Sequence, residues 1–103
     1  MSITLRGTGS VDLHVSTWCA IRDIGRELGW VPEYEKVSIE LGYWVDDIPD
    51  HNARALAKIL YRVIHMIEED SLSESLVDLV KEARVGNIRD VADLAYMSGF
   101  YAD

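Results

Sequence analysis

Between Pro49 and Glu69 the apolar residues Ala53, Leu56, Ala57, Leu60, Val63, Ile64 and Ile67 recur at steps of three and four. That repeat places side chains on one face of an α-helix. A stripe of this length cannot remain in water, so the rest of the chain must supply its cover. Truncating a residue at its centre, such as Leu60, should cost about 2–5 kcal/mol, a large share of a small domain's stability. Pro49 and Asp50 suit the helix start, since proline is tolerated in a first turn and an acid there complements the helix dipole.

The covering segments can be read in order. Ile3 and Leu5, then Val11, Leu13 and Val15, alternate with polar neighbours at the period of half-buried strands. Gly7-Thr8-Gly9-Ser10 between them has hairpin length, with Asp12 and His14 expected on the polar face. Ser16 is a suitable N-cap for a helix from about Thr17 to Leu28, lined by Trp18, Ile21, Gly25 and Leu28, with Cys19 and Ile24 beside them. Gly29 suits the position past its end, and Pro32 prevents its resumption. Gly25 inside the helix predicts close packing there, and Trp18 and Trp30 are expected to pack in the core and at the hinge.

Val37, Ile39 and Leu41 read as a third strand, and Gly42 to Asp47 as the lead into the central helix. Ser71-Leu72-Ser73-Glu74 has the spacing of a capping box, so a further helix is expected there, with Leu72, Leu76, Leu79, Val80 and Ala83 inward and Gly86 at its end. Asn87 is expected to cap a last helix to about Met97, with Ile88, Val91, Ala92 and Ala95 inward. Ser98-Gly99 should stop it, and Phe100-Tyr101 should return as a short strand. The predicted fold is a single α+β domain over residues 1–103: an N-terminal β-hairpin plus a further strand packed against about four helices.

Charge narrows the partners. The formal net charge of −8 is unevenly spread: residues 1–31 hold three basic and three acidic groups, residues 32–103 seven basic and fifteen acidic. Such a balance disfavours direct attraction to nucleic acid or to an anionic membrane and suits a basic partner or a role as a decoy for nucleic acid. It also serves plain solubility. The apolar runs fall short of a membrane span, the first residues lack a signal-peptide core, and the lone Cys19 fits a reducing compartment; together they predict a cytoplasmic protein.

Catalytic signatures are sparse. His14, His51 and His65 have no metal-ligand spacing, and His51 near Asp47 and Asp50 reads better as a solvated helix start. Cys19 lies beside an apolar helix side, where thiols are inert, and no nucleophile elbow, Walker loop or dinucleotide fingerprint occurs. No metal, cofactor or catalytic residue is expected.

Two charged ridges are better formed. Arg54, Lys58 and Arg62 recur every four residues on the central helix, with Tyr61 and His65 alongside, and Glu74, Asp78 and Glu82 do the same on the next helix. They read as solvated faces, as partners of one another, or, for the acidic ridge, as a docking strip for a basic groove. Glu68, Glu69 and Asp70 extend the acidic run. Tyr43 and Trp44 beside Asp46 and Asp47 form the most interface-like local cluster, although such clusters also fold onto a protein's own core.

An ITLRG strand, an early Trp18 in a helix closing in Gly29-Trp30-x-Pro32, the pattern Ala53-x-x-Leu56-Ala57-x-x-Leu60, and a final helix ending in Gly99-Phe100 together resemble a family of small, largely uncharacterised bacterial and phage domains. Ser98-Gly99-Phe100 departs from the paired glycines expected at that end. The resemblance implies an α+β fold and no catalytic residue; anti-CRISPR and other anti-defence inhibitors are similar in kind, not in motif. The expected function is macromolecular binding without catalysis, in its leading form a phage or mobile-element inhibitor occupying a basic nucleic-acid-binding surface of a bacterial defence complex. Glu74, Asp78 and Glu82 would steer, while Tyr43, Trp44 or Tyr61 would supply desolvated contact. The alternatives are an immunity-type protein that neutralises a basic toxin, and a small enzyme or ligand-binding domain.

Overall fold

The computed structural model describes the backbone of residues 2–5, 9–33, 35–40 and 43–100, with side chains at 13–33, 48–49 and 51–97. In chain order the elements are β1 (Ser2–Leu5), β2 (Gly9–Asp12), α1 (Val15–Glu27), β3 (Glu35–Glu40), β4 (Tyr43–Ile48), α2 (Asp50–Glu68), α3 (Glu74–Ala83) and α4 (Val85–Phe100).

Each helix forms where apolar residues recur at helical spacing, and each buries that stripe. In α2, Ala53, Leu56, Ala57, Leu60, Val63 and Ile64 are buried, with Ile67 partly covered. Trp18, Ala20, Ile21 and Ile24 do the same in α1, Leu76, Val80 and Ala83 in α3, and Ile88, Val91, Ala92 and Ala95 in α4. The partnering is interleaved. The main contact of α2 is α4, and that of α1 is α3, with thinner contacts of α3 on α4 and α1 on α2. All these side chains join one hydrophobic cluster.

The end of α1 shows how local signals set the geometry. Gly29 adopts φ +100, a left-handed conformation that favours glycine. The Gly29 N–H donates to the Arg26 carbonyl (3.1 Å) and the Trp30 N–H to the Gly25 carbonyl (2.8 Å), the paired bonds of a Schellman motif. The chain therefore reverses sharply, and the Trp30 ring returns edge-to-face onto Trp18, with centroids 6.4 Å apart. Both rings are buried, as expected of core and hinge packing.

The expected fold class is corrected. An α+β domain with a hairpin and one further strand laid against the helices is not what holds this chain together: the compact unit is a four-helix, all-helical domain, because the stripes of the four helices cover one another. Among the described side chains, the core comes from the helices apart from Leu13, Trp30 and Ile48. The strands are backbone ladders in the order β2-β1-β4-β3, antiparallel within β1–β2 and β3–β4 and parallel between β1 and β4. They contact chiefly one another, and they approach the helices mainly where β1 nears α4. Gly7-Thr8, Leu41-Gly42 and Tyr101 lie outside the described residues.

Several boundaries move for identifiable reasons. The N-cap of α1 is His14, whose Nδ1 accepts the Ser16 N–H (3.2 Å), so Ser16 lies inside the helix and Val15, expected on an inner strand face, is 54% exposed. The capping box at Ser71 does not form: α2 closes first, with Asp70 at φ 52 and the Ser71 N–H donating to the Met66 carbonyl (2.9 Å). That hydrogen bond commits Ser71 to the end of one helix, and α3 starts at Glu74 behind Ser73. Gly86 does not end α3; Arg84 does, at φ 70, and Gly86 sits in the first turn of α4. Asn87 is no cap either, its Nδ2 donating to the Ala83 carbonyl (2.9 Å). The last helix continues through Ser98 and Gly99 to Phe100, so the expected stop fails and Phe100 is helical. No helix among the described residues is long and apolar enough to cross a membrane.

Candidate functional site

The ridge Glu74, Asp78 and Glu82 stands on α3, and all three residues are exposed. Leu76, Val80 and Ala83 occupy the opposite side of the helix and are buried. Burial of that stripe fixes the rotation of α3, and the rotation in turn aims the three carboxylates outward. None of the three makes an ion pair among the described residues. The ridge is an exposed strip of three carboxylates along one helix, without ion pairs among the described residues.

The neighbouring acids behave differently. Glu69 pairs with His65 one turn earlier (3.0 Å), and Glu68 approaches Arg89 of α4 (3.9 Å). Both are exposed pairs of small energetic value, and the guanidinium of Arg89 offsets part of the Glu68 field. Asp70, in its left-handed conformation, ends the acidic run at the α2 terminus.

Tyr43, Trp44, Asp46 and Asp47, expected in a lead-in segment, lie instead on β4, an interior strand of the ladder. Trp44 is in register with Ser38, Asp46 with Lys36 and Ile3, and Asp47 with Glu35 and Thr4. Their side chains lie outside those described. β4 pairs with β1 and β3 whereas α3 packs on α1 and α4, so the two halves of the expected interface belong to different parts of the fold.

The basic and acidic ridges also lie on different helix pairs, which removes the reading that they neutralise each other: α2 packs mainly on α4, and α3 mainly on α1. Beside Lys58 and Arg62, which are exposed, Tyr61 is the organised member of its face. Its hydroxyl donates to Asp93 Oδ1 (2.5 Å), and its ring meets Tyr96 edge-to-face at 6.1 Å. Burial first, then the hydrogen bond and charge of Asp93, push the Tyr61 phenol from 10.0 up to about 12.

Asn52 is a structural residue that sequence reading passes over. Its side chain is buried and spans the gap between α2 and the segment after α1: Nδ2 donates to the Val31 carbonyl (2.8 Å), and Oδ1 accepts the Glu33 N–H (3.0 Å). The Trp30 indole N–H donates to the Asn52 carbonyl (3.1 Å). The available signal is its position one turn before Leu56, a polar residue on an apolar stripe. His51 pairs with Glu33; the side chains of Asp47 and Asp50 lie outside those described. Cys19 is half-buried and accepts a long hydrogen bond from Arg22 Nη2 (3.7 Å). Among the described residues no group of three or more His, Cys, Asp or Glu is placed to hold a metal ion. No family model, curated protein or solved structure matches the chain.

Proposed function

We propose that this domain acts by binding another macromolecule, without chemistry of its own, and that the Glu74–Asp78–Glu82 ridge is its docking strip for a basic protein surface. The observation that supports this reading most is the contrast between the ridge and its surroundings. Glu69 pairs with His65 and Glu68 approaches Arg89, whereas Glu74, Asp78 and Glu82 are exposed, aligned and without an ion pair among the described residues. A like-signed strip raises the encounter rate with an oppositely charged surface and rejects like-charged ones. In its sharper form the proposal is an inhibitor that occupies a basic nucleic-acid-binding surface of a bacterial defence complex. An immunity-type protein against a basic toxin would use the same physics and differ in the partner found.

Affinity purification from a bacterial host followed by mass spectrometry identifies the partner, using wild type and the Glu74→Lys, Asp78→Lys, Glu82→Lys triple variant side by side. The triple variant should fold, since exposed charges contribute little to stability, and should fail to retain the partner. Association with the purified partner should slow as salt rises, because screening shortens the field's reach to about 8 Å near physiological ionic strength. A rate indifferent both to salt and to the reversal would reduce the ridge to a solvated face.

A further inference from the structure

A second feature of the fold has the opposite electrostatic character. Where the start of α1 faces the junction of α3 and α4, a cleft of about 440 Å³ is lined by Leu13, His14, Ser16 and Thr17 on one side and by Lys81, Glu82, Arg84 and Asn87 on the other. Its size is within the range of about 300–1,000 Å³ found for small-molecule sites, but its lining, Leu13 apart, is polar where such sites are mostly apolar. The occupant this lining suits is therefore small and polar.

The chemistry of the lining sets the sign. Lys81 and Arg84 bring two positive charges, and only Glu82 is acidic. Among the described residues neither Lys81 nor Arg84 makes an ion pair, in a chain whose net charge is −8 and which offers carboxylates on every helix. His14 adds a further donor. Its Nδ1 accepts the Ser16 N–H, which puts the ring proton on Nε2 in the neutral form. Thr17 contributes a hydroxyl. Two cations without ion pairs among the described residues, in excess of the single carboxylate and joined by neutral donors across a concave surface, match a compact oxyanion better than a cation or an apolar group.

We infer that this cleft binds the phosphoryl group of a small molecule, held between Lys81 and Arg84 with His14 and Thr17 as neutral donors. The cleft shares one lining residue, Glu82, with the α3 ridge. A phosphate ester and free phosphate present the same chemistry to these groups, so the test carries both.

The experiment is a titration of the full chain followed by backbone amide NMR, at constant ionic strength, with ribose 5-phosphate, inorganic phosphate, and ribose as the uncharged control. Saturable shifts confined to residues 14–17 and 81–87 are expected with the two phosphates and none with ribose; tighter binding of ribose 5-phosphate identifies an ester as the ligand, and equal binding free phosphate. Lys81→Ala and Arg84→Gly should each weaken binding about tenfold or more, the loss expected for one hydrogen bond to a charged group. Both variants should fold, because Lys81 is an exposed helical position and Arg84 already holds a positive φ of 70 that glycine adopts freely. Shifts that fail to saturate, spread over the surface, appear equally with ribose, or persist unchanged in both variants would overturn the inference.

Discussion

A Cβ placed on Gly25 would lie 2.9 Å from Cε3 of Trp30, and the same Gly25 accepts the Trp30 N–H through its carbonyl. The glycine is thus the floor on which the indole sits, with Leu56 Cδ1 closing the other side at 3.2 Å from that position. Gly25→Ala gains about 1 kcal/mol of helix propensity but forces the ring and Leu56 apart, an overpacking that typically costs 1–3 kcal/mol. We expect net destabilisation of about 1 kcal/mol in urea melts. A more stable variant would mean that Trp30 shifts without resistance.

The central stripe separates two neighbouring positions on α2. Leu60 is fully buried and Lys58 exposed. Leu60→Ala should cost about 2–5 kcal/mol and Lys58→Ala no more than about 0.5 kcal/mol. Equal, small changes in the urea midpoint would contradict this assignment of faces.

Asp70 holds φ 52 directly after a helix that ends in Glu68 and Glu69. Asp70→Gly relieves the left-handed penalty and removes an acid from the negative end of the helix dipole. Stabilisation of about 0.5–1.5 kcal/mol is expected, seen calorimetrically as a Tm higher by several degrees. Asp70→Ala, which keeps a Cβ in the same conformation, should gain less.

Tyr61 predicts a signature in alkali. Its phenol is raised to about 12 in the folded chain, by burial and by Asp93, against 10.0 when unfolded. A raised acid keeps its proton longest in the folded state, so its stabilising contribution is complete below pH 10 and is lost as pH climbs through 12. Absorbance at 295 nm should show a late-ionising phenol that Tyr61→Phe and Asp93→Asn remove or shift downward. An unchanged titration curve in both variants would refute the assignment.

How much of this was legible depended on whether a signal was local and unopposed. The stripes of α2, α3 and α4 were readable because burial follows helical period, and Gly29 because little else tolerates its conformation. Signals that competed with a neighbour misled. Ser71 resembles the first residue of a capping box, yet its N–H is taken by Met66. Ser16 is a better cap by type than His14, but the Leu13 side chain, buried beside the core, sets where the chain turns in. Gly86 lost its terminating role to Arg84 because Ile88, Val91 and Ala92 pull α4 onto the core from its first turn. Of the site, the exposure of the α3 carboxylates followed from the stripe behind them. The cleft did not, since Lys81 and Arg84 meet His14 and Thr17 only through the packing of α3 on α1.

The interleaved partnering of the helices has a consequence for how the chain reaches its fold. Neither dominant pair, α2 with α4 or α1 with α3, consists of consecutive helices. A bundle of successive hairpins can gain stability one neighbour at a time, whereas here each major contact closes a loop that contains another helix. The entropy of those closures must be met before either contact rewards it, which raises the contact order above that of a simple up-and-down bundle and slows folding. During synthesis α2 emerges with most of its apolar face uncovered, since α1 contacts it only thinly, and keeps it so until α4 has left the ribosome, making that interval the period in which the nascent chain is most exposed to aggregation.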